Sequence, residues 1–412
     1  MSFEPASEAA IHELTLPNGL RVAFAPMPWL PTLSVTLSLP LGSATDPDGL
    51  EGSANVLHEW LQRGAGDLGS REYSDALLDL GVRRGGGSGR ERSNLSFAFL
   101  ASVAEPALGL LADSVVRPRF EDAEFEPSRE LALQELESLK DAPTQLLFEE
   151  LQERLFESPQ RRSGYGTEAG LRALSPEGVR RDAAARLGPS GAILGLAGGG
   201  KWDELQAVVA NAFGGWSGVN VPLPAAALAP VGRHHVDAES TQMQIGLGFP
   251  SPAPGTDDAY TYQVALEVLS GSMGARLFTE VREKRGLVYS VSAFYRSLRG
   301  FGYTLGYAGT TVERAAETLE VFLAELGRMA EGVSAAELER ARTGLLSSVV
   351  MSGEATGSTA GRLANDIALF GRPRTLAEIS GRIEGVTLQA VNDYLAANPI
   401  PEPTVVTLGP KP

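Results

Sequence analysis

Hydrophobic and polar positions alternate over short stretches of the chain and cluster over longer ones. Residues 33–39 read LSVTLSL, in which apolar and small polar side chains alternate with period two. Such alternation predicts a β-strand with one buried face. Longer stretches at 104–116, 126–140, 312–328 and 334–350 read as helices. The chain is therefore predicted to mix strands and helices.

The same order of elements occurs twice. A strand at 95–100 precedes the first two of these helices, and a strand at 302–307 precedes the second two. Later in each half, a further helix leads to a strand, at 192–196 in the first case and at 404–408 in the second. Repetition at so long a period indicates two homologous units.

A proline-rich segment separates the two halves. Pro222, Pro224 and Pro230 stand among alanines there, and such a segment cannot form a continuous helix. We therefore predict an N-terminal domain at 1–220, a linker at 221–232 and a C-terminal domain at 233–412. The fold class is α+β. Each half is expected to be an α/β sandwich, a mostly antiparallel sheet with helices on one face, and the two to be joined like a clamshell.

Composition narrows the function classes. The 412-residue chain has a formal net charge of −16 and no cysteine. Such a charge repels nucleic-acid phosphates, so we expect no nucleic-acid partner. The missing cysteines exclude disulfides, zinc–thiolate sites and thiol nucleophiles. No signal peptide is evident, and no stretch of about 18 apolar residues occurs. We therefore expect a cytoplasmic protein without a membrane span.

Three stretches together carry a resemblance to a known family. They read LPNGLRV at 16–22, GSA at 52–54 and GARLFTEVREKRGLVYS at 274–290. With the two repeated halves, the chain resembles the pitrilysin/insulinase family of zinc metallopeptidases, and most closely the mitochondrial processing peptidase-like group. The resemblance covers nearly the whole sequence. It implies a two-domain fold that encloses peptide substrates.

The family's zinc motif, H-x-x-E-H, is damaged here. The surrounding stretch 52–64 fixes the register, so Asn55 takes the place of the first histidine, His58 that of the general base and Glu59 that of the second histidine. Glu135 matches the family's third ligand. Asparagine is a poor zinc ligand, and imidazole is a poor substitute for a carboxylate base.

The remaining side chains do not form an alternative zinc site. His58 and Glu59 are adjacent on a helix and point about 100° apart, so they do not converge on one ion. The other histidines lie far away in sequence: His12, His234 and His235. We therefore predict no cofactor in this chain. In the ordinary alternative, His58 is a surface or interface histidine and Glu135 a solvated helix carboxylate.

A second part of the family's active site is retained. The resemblance assigns Arg282 and Tyr289 to the arginine and tyrosine that complete the active site from the C-terminal half. A guanidinium and a phenol can hold a substrate carbonyl and the oxyanion that develops from it. The ordinary alternative is a helix-end arginine in a surface ion pair and a half-buried strand tyrosine.

The loss of one half-site and retention of the other resembles the noncatalytic subunit of split bacterial enzymes. We predict a heterodimer with a homologous zinc-bearing subunit that cleaves unfolded peptides, the zinc being held by that partner. Two alternatives remain. One is a structural or scaffolding homologue, and the other is a homodimeric peptide-binding protein without activity.

Two glycine-rich stretches and a histidine pair allow further interpretations. Residues 83–90 read RRGGGSGR, which lacks the P-loop pattern and indicates a flexible approach to the strand at 95–100. The resemblance also implies an edge strand there, able to pair with a peptide. Residues 270–274 are either a simple turn between helices or a loop that admits substrate. We interpret His234 and His235 as incidental.

Overall fold

The computed structural model describes residues 10–411, which form two compact units. The units are discontinuous in sequence. The first comprises the chain up to Ser138, Ser158–Pro224 and Ser352–Thr375; the second comprises Leu139–Glu157, Ala225–Met351 and the chain from Leu376 onwards. Each contains one β-sheet with helices, so the predicted α+β class is confirmed.

The first unit is built on a six-stranded sheet with the order β1-β2-β6-β3-β5-β4. Only β2 and β6 run parallel, and the other neighbours are antiparallel. The strands are β1 (His12–Thr15), β2 (Arg21–Pro26), β3 (Thr32–Leu39), β4 (Arg83–Ser88), β5 (Ser93–Leu100) and β6 (Ile193–Gly198).

The second unit is built on a five-stranded sheet with the order β7-β11-β8-β10-β9. Its strands are β7 (Arg233–Asp237), β8 (Gln242–Ser251), β9 (Val288–Leu298), β10 (Phe301–Thr311) and β11 (Thr404–Gly409). The one parallel pair, β7 with β11, stands where β2 with β6 stands in the first sheet. The two sheets therefore share one topology, with β1 added to the first, as the repeated order of elements predicted.

Fourteen α-helices lie within residues 10–411. They are α1 (Ser53–Trp60), α2 (Ser70–Asp79), α3 (Ala104–Val116), α4 (Asp122–Ser138), α5 (Pro143–Leu155), α6 (Glu168–Ala173), α7 (Pro176–Arg186), α8 (Trp202–Phe213), α9 (Asp257–Ser270), α10 (Ala315–Arg328), α11 (Ala335–Gly353), α12 (Thr356–Phe370), α13 (Leu376–Glu384) and α14 (Leu388–Ala397). A π-helix at Phe278–Glu283 and short 3₁₀ turns join them. The helices predicted at 104–116, 126–140, 312–328 and 334–350 all form, with α4 starting before its predicted first residue.

One helix of each sequence half packs on the sheet of the other half. Helix α12 lies against β2, β3 and β6 of the first unit, and α5 lies against β8 and β11 of the second. The apolar side chains of α12 include Leu363 and Ile367, which are fully buried. Each such side chain contributes about 1.5–3 kcal/mol when buried. This exchange explains why the units differ from the consecutive halves 1–220 and 233–412.

Strand β3 shows the consequence of this exchange. Its alternating pattern predicted one buried face, but residues Leu33 to Leu39 are buried on both faces. The prediction was wrong because α12 covers the serine and threonine face, where Ser34 Oγ lies 2.8 Å from Thr356 Oγ1. Neighbouring Gly195 permits the close approach, since a Cβ there would lie 2.2 Å from the carbonyl oxygen of Ala360.

The linker region carries little regular structure. Residues 217–227 form no helix or strand, and the change of unit at Pro224 falls within the predicted 221–232 linker. Asn220 ties this region to the first unit by donating a 2.7 Å hydrogen bond to the carbonyl of Gly188. Among residues 10–411, no helix is both long enough and apolar enough to cross a membrane.

Candidate functional site

Helix α1, which carries the damaged metal motif, is anchored at its N-terminus by a carboxylate. Asp46 accepts hydrogen bonds from the backbone amides of Gly52 and Ala54, both at 2.8 Å. These amides have no partner within the helix, so the carboxylate caps them. Gly52 has φ +107°, a left-handed conformation that favours glycine. Gly52 therefore allows the chain to make the turn with which α1 begins.

A buried charge network holds this cap. The guanidinium of Arg186 is 1% exposed, lies 3.1 Å from Asp46 and also pairs with Asp182. Asp182 in turn accepts a 2.6 Å hydrogen bond from the Ser53 hydroxyl. Burial raises the pKa of Asp46 to about 6, while Arg186 and the two backbone donors act against that shift. Sequence reasoning missed this network, because its members are distant in the chain and belong to no motif.

The first and third ligand positions of the motif do come together. Asn55 donates a hydrogen bond of 3.1 Å from Nδ2 to the Oε2 atom of Glu135 on α4. Glu135 is exposed, as expected of a solvated helix carboxylate. Asn55 and Glu135 match the family's first and third ligand positions in sequence, and their contact in the structure agrees with that match. The contact is an amide–carboxylate hydrogen bond.

The second histidine position is occupied by a paired carboxylate. Glu59 lies 2.9 Å from the guanidinium of Arg63, one turn further along the chain. Arg63 also lies 3.3 Å from Glu124. The arginine therefore links α1 to α4 and supplies positive charge beside both carboxylates.

His58, at the position of the general base, faces the interior. The residue is only 6% exposed, so of the alternative of a surface or interface histidine the surface position is not what the structure has. Its Nε2 lies 3.2 Å from the side-chain nitrogen of Gln62, and its Nδ1 has no hydrogen-bond partner among the described residues. Burial lowers the pKa of His58 to about 4, so the ring is neutral near pH 7. A buried neutral imidazole on the core face cannot serve a solvent-facing site.

These side chains do not fit a zinc ion. Zinc needs convergent imidazole or carboxylate donors with an open position for water. Here Asn55 offers a neutral amide, Glu59 is paired with Arg63, and His58 is turned into the core. Across residues 10–411, no group of three or more histidine, aspartate and glutamate side chains is arranged to hold a metal.

Arg282 lies on the π-helix Phe278–Glu283 of the second unit. Single turns of π-helix are uncommon and frequently occur at functional sites. The guanidinium is exposed and lies 4.8 Å from the centre of the Phe278 ring. Within residues 10–411 no carboxylate forms an ion pair with it, so the surface ion pair considered as the alternative is not present. Its neighbours Lys284 and Arg285 are the residues that pair with Glu280.

Tyr289 follows on β9, the edge strand of the second sheet. The side chain is 78% exposed, so the half-buried strand tyrosine of the alternative is not what the structure has. Between the two residues the chain turns at Gly286, where φ is +60°. Within residues 10–411, an arginine without an ion-pair partner and an exposed tyrosine thus stand in one short segment.

Other candidate segments have ordinary surroundings. Residues 83–88 are not a flexible approach: Arg83–Ser88 forms the edge strand that the resemblance implies, β4, paired along its length with β5. Gly86 is required there, because a Cβ would lie 1.8 Å from the carbonyl oxygen of Asn94. Residues 270–274 connect α9 to the next helical segment as a turn. His234 and His235 lie on edge strand β7.

Comparison with known proteins adds family membership to this geometry. Residues 21–168 match the family described as Insulinase (Peptidase family M16), and residues 175–345 match Peptidase M16 inactive domain. A protein of Bacillus subtilis (strain 168) named an uncharacterized zinc protease is 26% identical over 399 residues, with 93% of this chain and 94% of that protein covered. One of Mycobacterium bovis with a similar name is 27% identical over 398 residues, with 94% and 91% covered.

Two solved structures share the fold. A peptidase M16 inactive domain from Pseudomonas fluorescens superposes with a TM-score of 0.89 at 21% identity, covering 98% of this chain and 99% of that one. A protease from Helicobacter pylori gives 0.88 at 16% identity, covering 98% and 100%. The repeated topology, the degenerate motif and these matches agree: the chain belongs to peptidase family M16, the insulinase-like family.

Proposed function

We propose that this protein is the noncatalytic subunit of a heteromeric zinc metallopeptidase. It would contribute Arg282 and Tyr289 to the substrate chamber of a homologous, zinc-bearing partner that cleaves unfolded peptides. The observation that carries the proposal is a difference between two sets of polar side chains, those at the motif positions and those of Arg282 and Tyr289, in whether they have partners inside the chain. The motif positions are occupied by internal hydrogen bonds and ion pairs, whereas Arg282 has no carboxylate partner within residues 10–411 and Tyr289 is 78% exposed.

The chemistry of the pair suits this role. A peptide carbonyl accepts hydrogen bonds, and its oxygen becomes negative when the bond is attacked. A guanidinium and a phenol donor stabilise that negative oxygen most when they are already fixed and have no competing partner. The stacking of Arg282 on the Phe278 ring, with 4.8 Å between guanidinium and ring centre, fixes the cation without neutralising it.

The cofactor is assigned to the partner. Because Asn55, His58 and Glu59 do not fit zinc, this chain is not expected to be a zinc enzyme by itself. In the proposed heterodimer the metal and its general base belong to the partner's intact H-x-x-E-H motif, and this chain binds and orients the substrate. The zinc-protease names of the bacterial relatives support the existence of such partners in the family.

A second candidate is a peptide-binding homologue without a proteolytic role, either as a homodimer or in a scaffold. Strand β4 favours it, because every residue from Arg83 to Gly87 is exposed and the strand ends the sheet. Such an edge leaves backbone groups free to pair with an extended peptide. This candidate requires neither Arg282 nor Tyr289.

The two candidates are separated by a mixing experiment. A zinc-bearing family member and this chain are purified, and cleavage of an unfolded, fluorescent peptide is measured for each alone and for the mixture. Activity of the mixture well above that of the partner alone supports the subunit role. Size measurement by light scattering then distinguishes a heterodimer from a homodimer.

Variants connect that activity to the pair. Tyr289→Phe keeps the ring and removes the hydroxyl, and Arg282→Ala removes the cation. Each is expected to lower the activity of the mixture on the order of 100-fold, the usual loss when an oxyanion donor is removed. Arg340→Ala changes another exposed arginine of the same unit and serves as the control. Full activity in both site variants would eliminate the subunit role and leave the peptide-binding candidate.

A further inference from the structure

The segment that joins Arg282 to Tyr289 is held through its backbone. The amide of Gly286 donates to the carbonyl of Arg282 at 2.9 Å, and the amide of Leu287 donates to the carbonyl of Val281 at 3.0 Å. These two bonds close the π-helix and turn the chain into β9. The two functional side chains make few contacts of their own, so this turn determines where they stand.

Two side chains from a neighbouring part of the second unit hold the turn. Arg314 donates to the carbonyl of Gly286 at 2.6 Å. Thr310 donates from its hydroxyl to the carbonyl of Leu287, also at 2.6 Å. The two accepting carbonyls are consecutive, and both belong to the turn between Arg282 and Tyr289. The turn is therefore fixed at two successive peptide groups.

Thr310 is itself held by a hydrogen bond from a second threonine, Thr318. Thr310 is buried, and it accepts a 3.2 Å hydrogen bond from the hydroxyl of Thr318, near the start of α10. Thr318 is itself fully buried. The register of β10 against β9 also shifts between Gly309 and Thr310. Such irregularities redirect side chains and are common next to functional sites. The shift coincides with the residue whose hydroxyl reaches the turn.

We propose that Thr310 and Arg314 are positioning residues for the Arg282–Tyr289 pair. This inference rests on the proposed function and deepens it. The two side chains touch no substrate; they fix the peptide groups of Gly286 and Leu287, and through them the direction of the π-helix end and of the first residues of β9. A displacement of about 1 Å in such a pair is sufficient to cost on the order of 100-fold in rate.

The first test uses this chain alone, so it does not depend on any partner. Hydrogen exchange is measured by mass spectrometry for the amides of Leu287 and Val288, which belong to the two peptide groups whose carbonyls Arg314 and Thr310 hold. Thr310→Val keeps the shape and removes the donor, and Thr310→Ser restores a hydroxyl. Thr343→Val is the matched control, because Thr343 is exposed and its hydroxyl donates to the carbonyl of Glu339 within its own helix α11. Faster exchange in Thr310→Val, recovered in Thr310→Ser and absent in the control, is the expected result.

Unchanged exchange in Thr310→Val overturns the positioning role, whatever the activity of the mixture. Arg314→Met provides a second route if Thr310→Val does not fold, since Arg314 is exposed and its change leaves the core intact. Faster exchange in this variant supports the proposal, and unchanged exchange overturns it.

The second test measures kcat and KM of the mixture with a zinc-bearing family member. Thr310→Val is expected to lower kcat at least 10-fold with little change in KM, and Thr310→Ser to recover it. If Tyr289→Phe abolishes activity while Thr310→Val has no effect on kcat, the positioning role is wrong and the subunit role stands. If Tyr289→Phe and Arg282→Ala are without effect, the subunit role is wrong, and the exchange data alone decide whether the turn is held as described.

Discussion

The segment around α1 in the first unit and the segment from the π-helix to β9 in the second differ in how their polar groups are used. Around α1, Asn55 bonds Glu135 and Glu59 pairs with Arg63. In the second segment, Arg282 stacks on the Phe278 ring and Tyr289 is open to solvent. Polar groups with internal partners stabilise a fold, whereas fixed donors without partners are available to another molecule. The comparison supports a structural role for the first segment and the proposed binding role for the second.

The largest expected effect concerns the anchor of α1. Arg186→Met removes one partner of a buried ion pair and leaves the Asp46 and Asp182 carboxylates uncompensated, which should lower the free energy of unfolding by about 3–5 kcal/mol. The measurement is urea unfolding followed by circular dichroism. Arg172→Met removes an exposed pair with Glu168 and should cost no more than about 0.5 kcal/mol. Similar losses in both variants would contradict a structural role for the α1 region.

Protonation of the His58 ring in acid is expected to lower the free energy of unfolding by an intermediate amount. Its pKa is lowered from 6.5 to about 4, so its stabilising effect is complete above pH 6.5 and is lost as pH falls through 4. The full difference is about 3 kcal/mol in the free energy of unfolding. His58→Gln cannot titrate and should show a flatter decline over this range in urea unfolding at a series of pH values.

Asp46 provides the internal check for that experiment. Its raised pKa acts in the opposite sense, since the protonated form is favoured in the folded protein and stability from this group falls as pH rises from 3.8 towards 6. That contribution is present in both proteins and cancels in the comparison. Parallel curves for wild type and His58→Gln would show that the histidine is accessible to protons in the folded protein.

A substitution in the second segment should change the free energy of unfolding very little. Arg282→Ala removes an exposed cation–π contact and should change the free energy of unfolding by no more than about 1 kcal/mol. Its effect is expected in the activity of the mixture. If Arg282→Ala lowered the free energy of unfolding of the isolated chain by about 3 kcal/mol or more, the arginine would be a structural residue and the difference between the two segments would not hold.

The smallest effect is expected at the Asn55–Glu135 contact. This hydrogen bond is exposed, so Asn55→Ala should cost no more than about 0.5 kcal/mol, the lower end of the usual range for a hydrogen bond. A double-mutant cycle with Glu135→Gln measures the coupling directly. No coupling would show that the two ligand-equivalent positions do not stabilise the α1–α4 contact.

Much of this fold could be predicted from the sequence. Helix α3 begins and ends at the predicted residues, and the repeated order of elements corresponds to two sheets of one topology. These features depend on local pattern and on order along the chain. The register of the motif also came from local residues, and Asn55 and Glu135 meet as it implied.

The parts that could not be predicted depend on partners distant in sequence. Nothing around Asp46 indicates that Arg186 will be buried against it. The apolar face of α12 would suit either sheet, so its pattern cannot tell which sheet it covers. Strand β4 follows from the resemblance and not from the residues themselves, because glycine has low strand propensity and only pairing with β5 makes Arg83–Ser88 a strand.

The exchange of α5 and α12 has a consequence for synthesis on the ribosome. The sheet of the first unit is complete when β6 has been made, yet its second face stays uncovered until Thr356–Phe370 has left the exit tunnel. Helix α5 is made early and must wait for β8 and β11. A nascent chain therefore displays, for much of its translation, a sheet face that carries Ala23, Ala25 and Ile193 beside the serine and threonine side chains of β3. We therefore expect the first unit to complete its folding only late in synthesis.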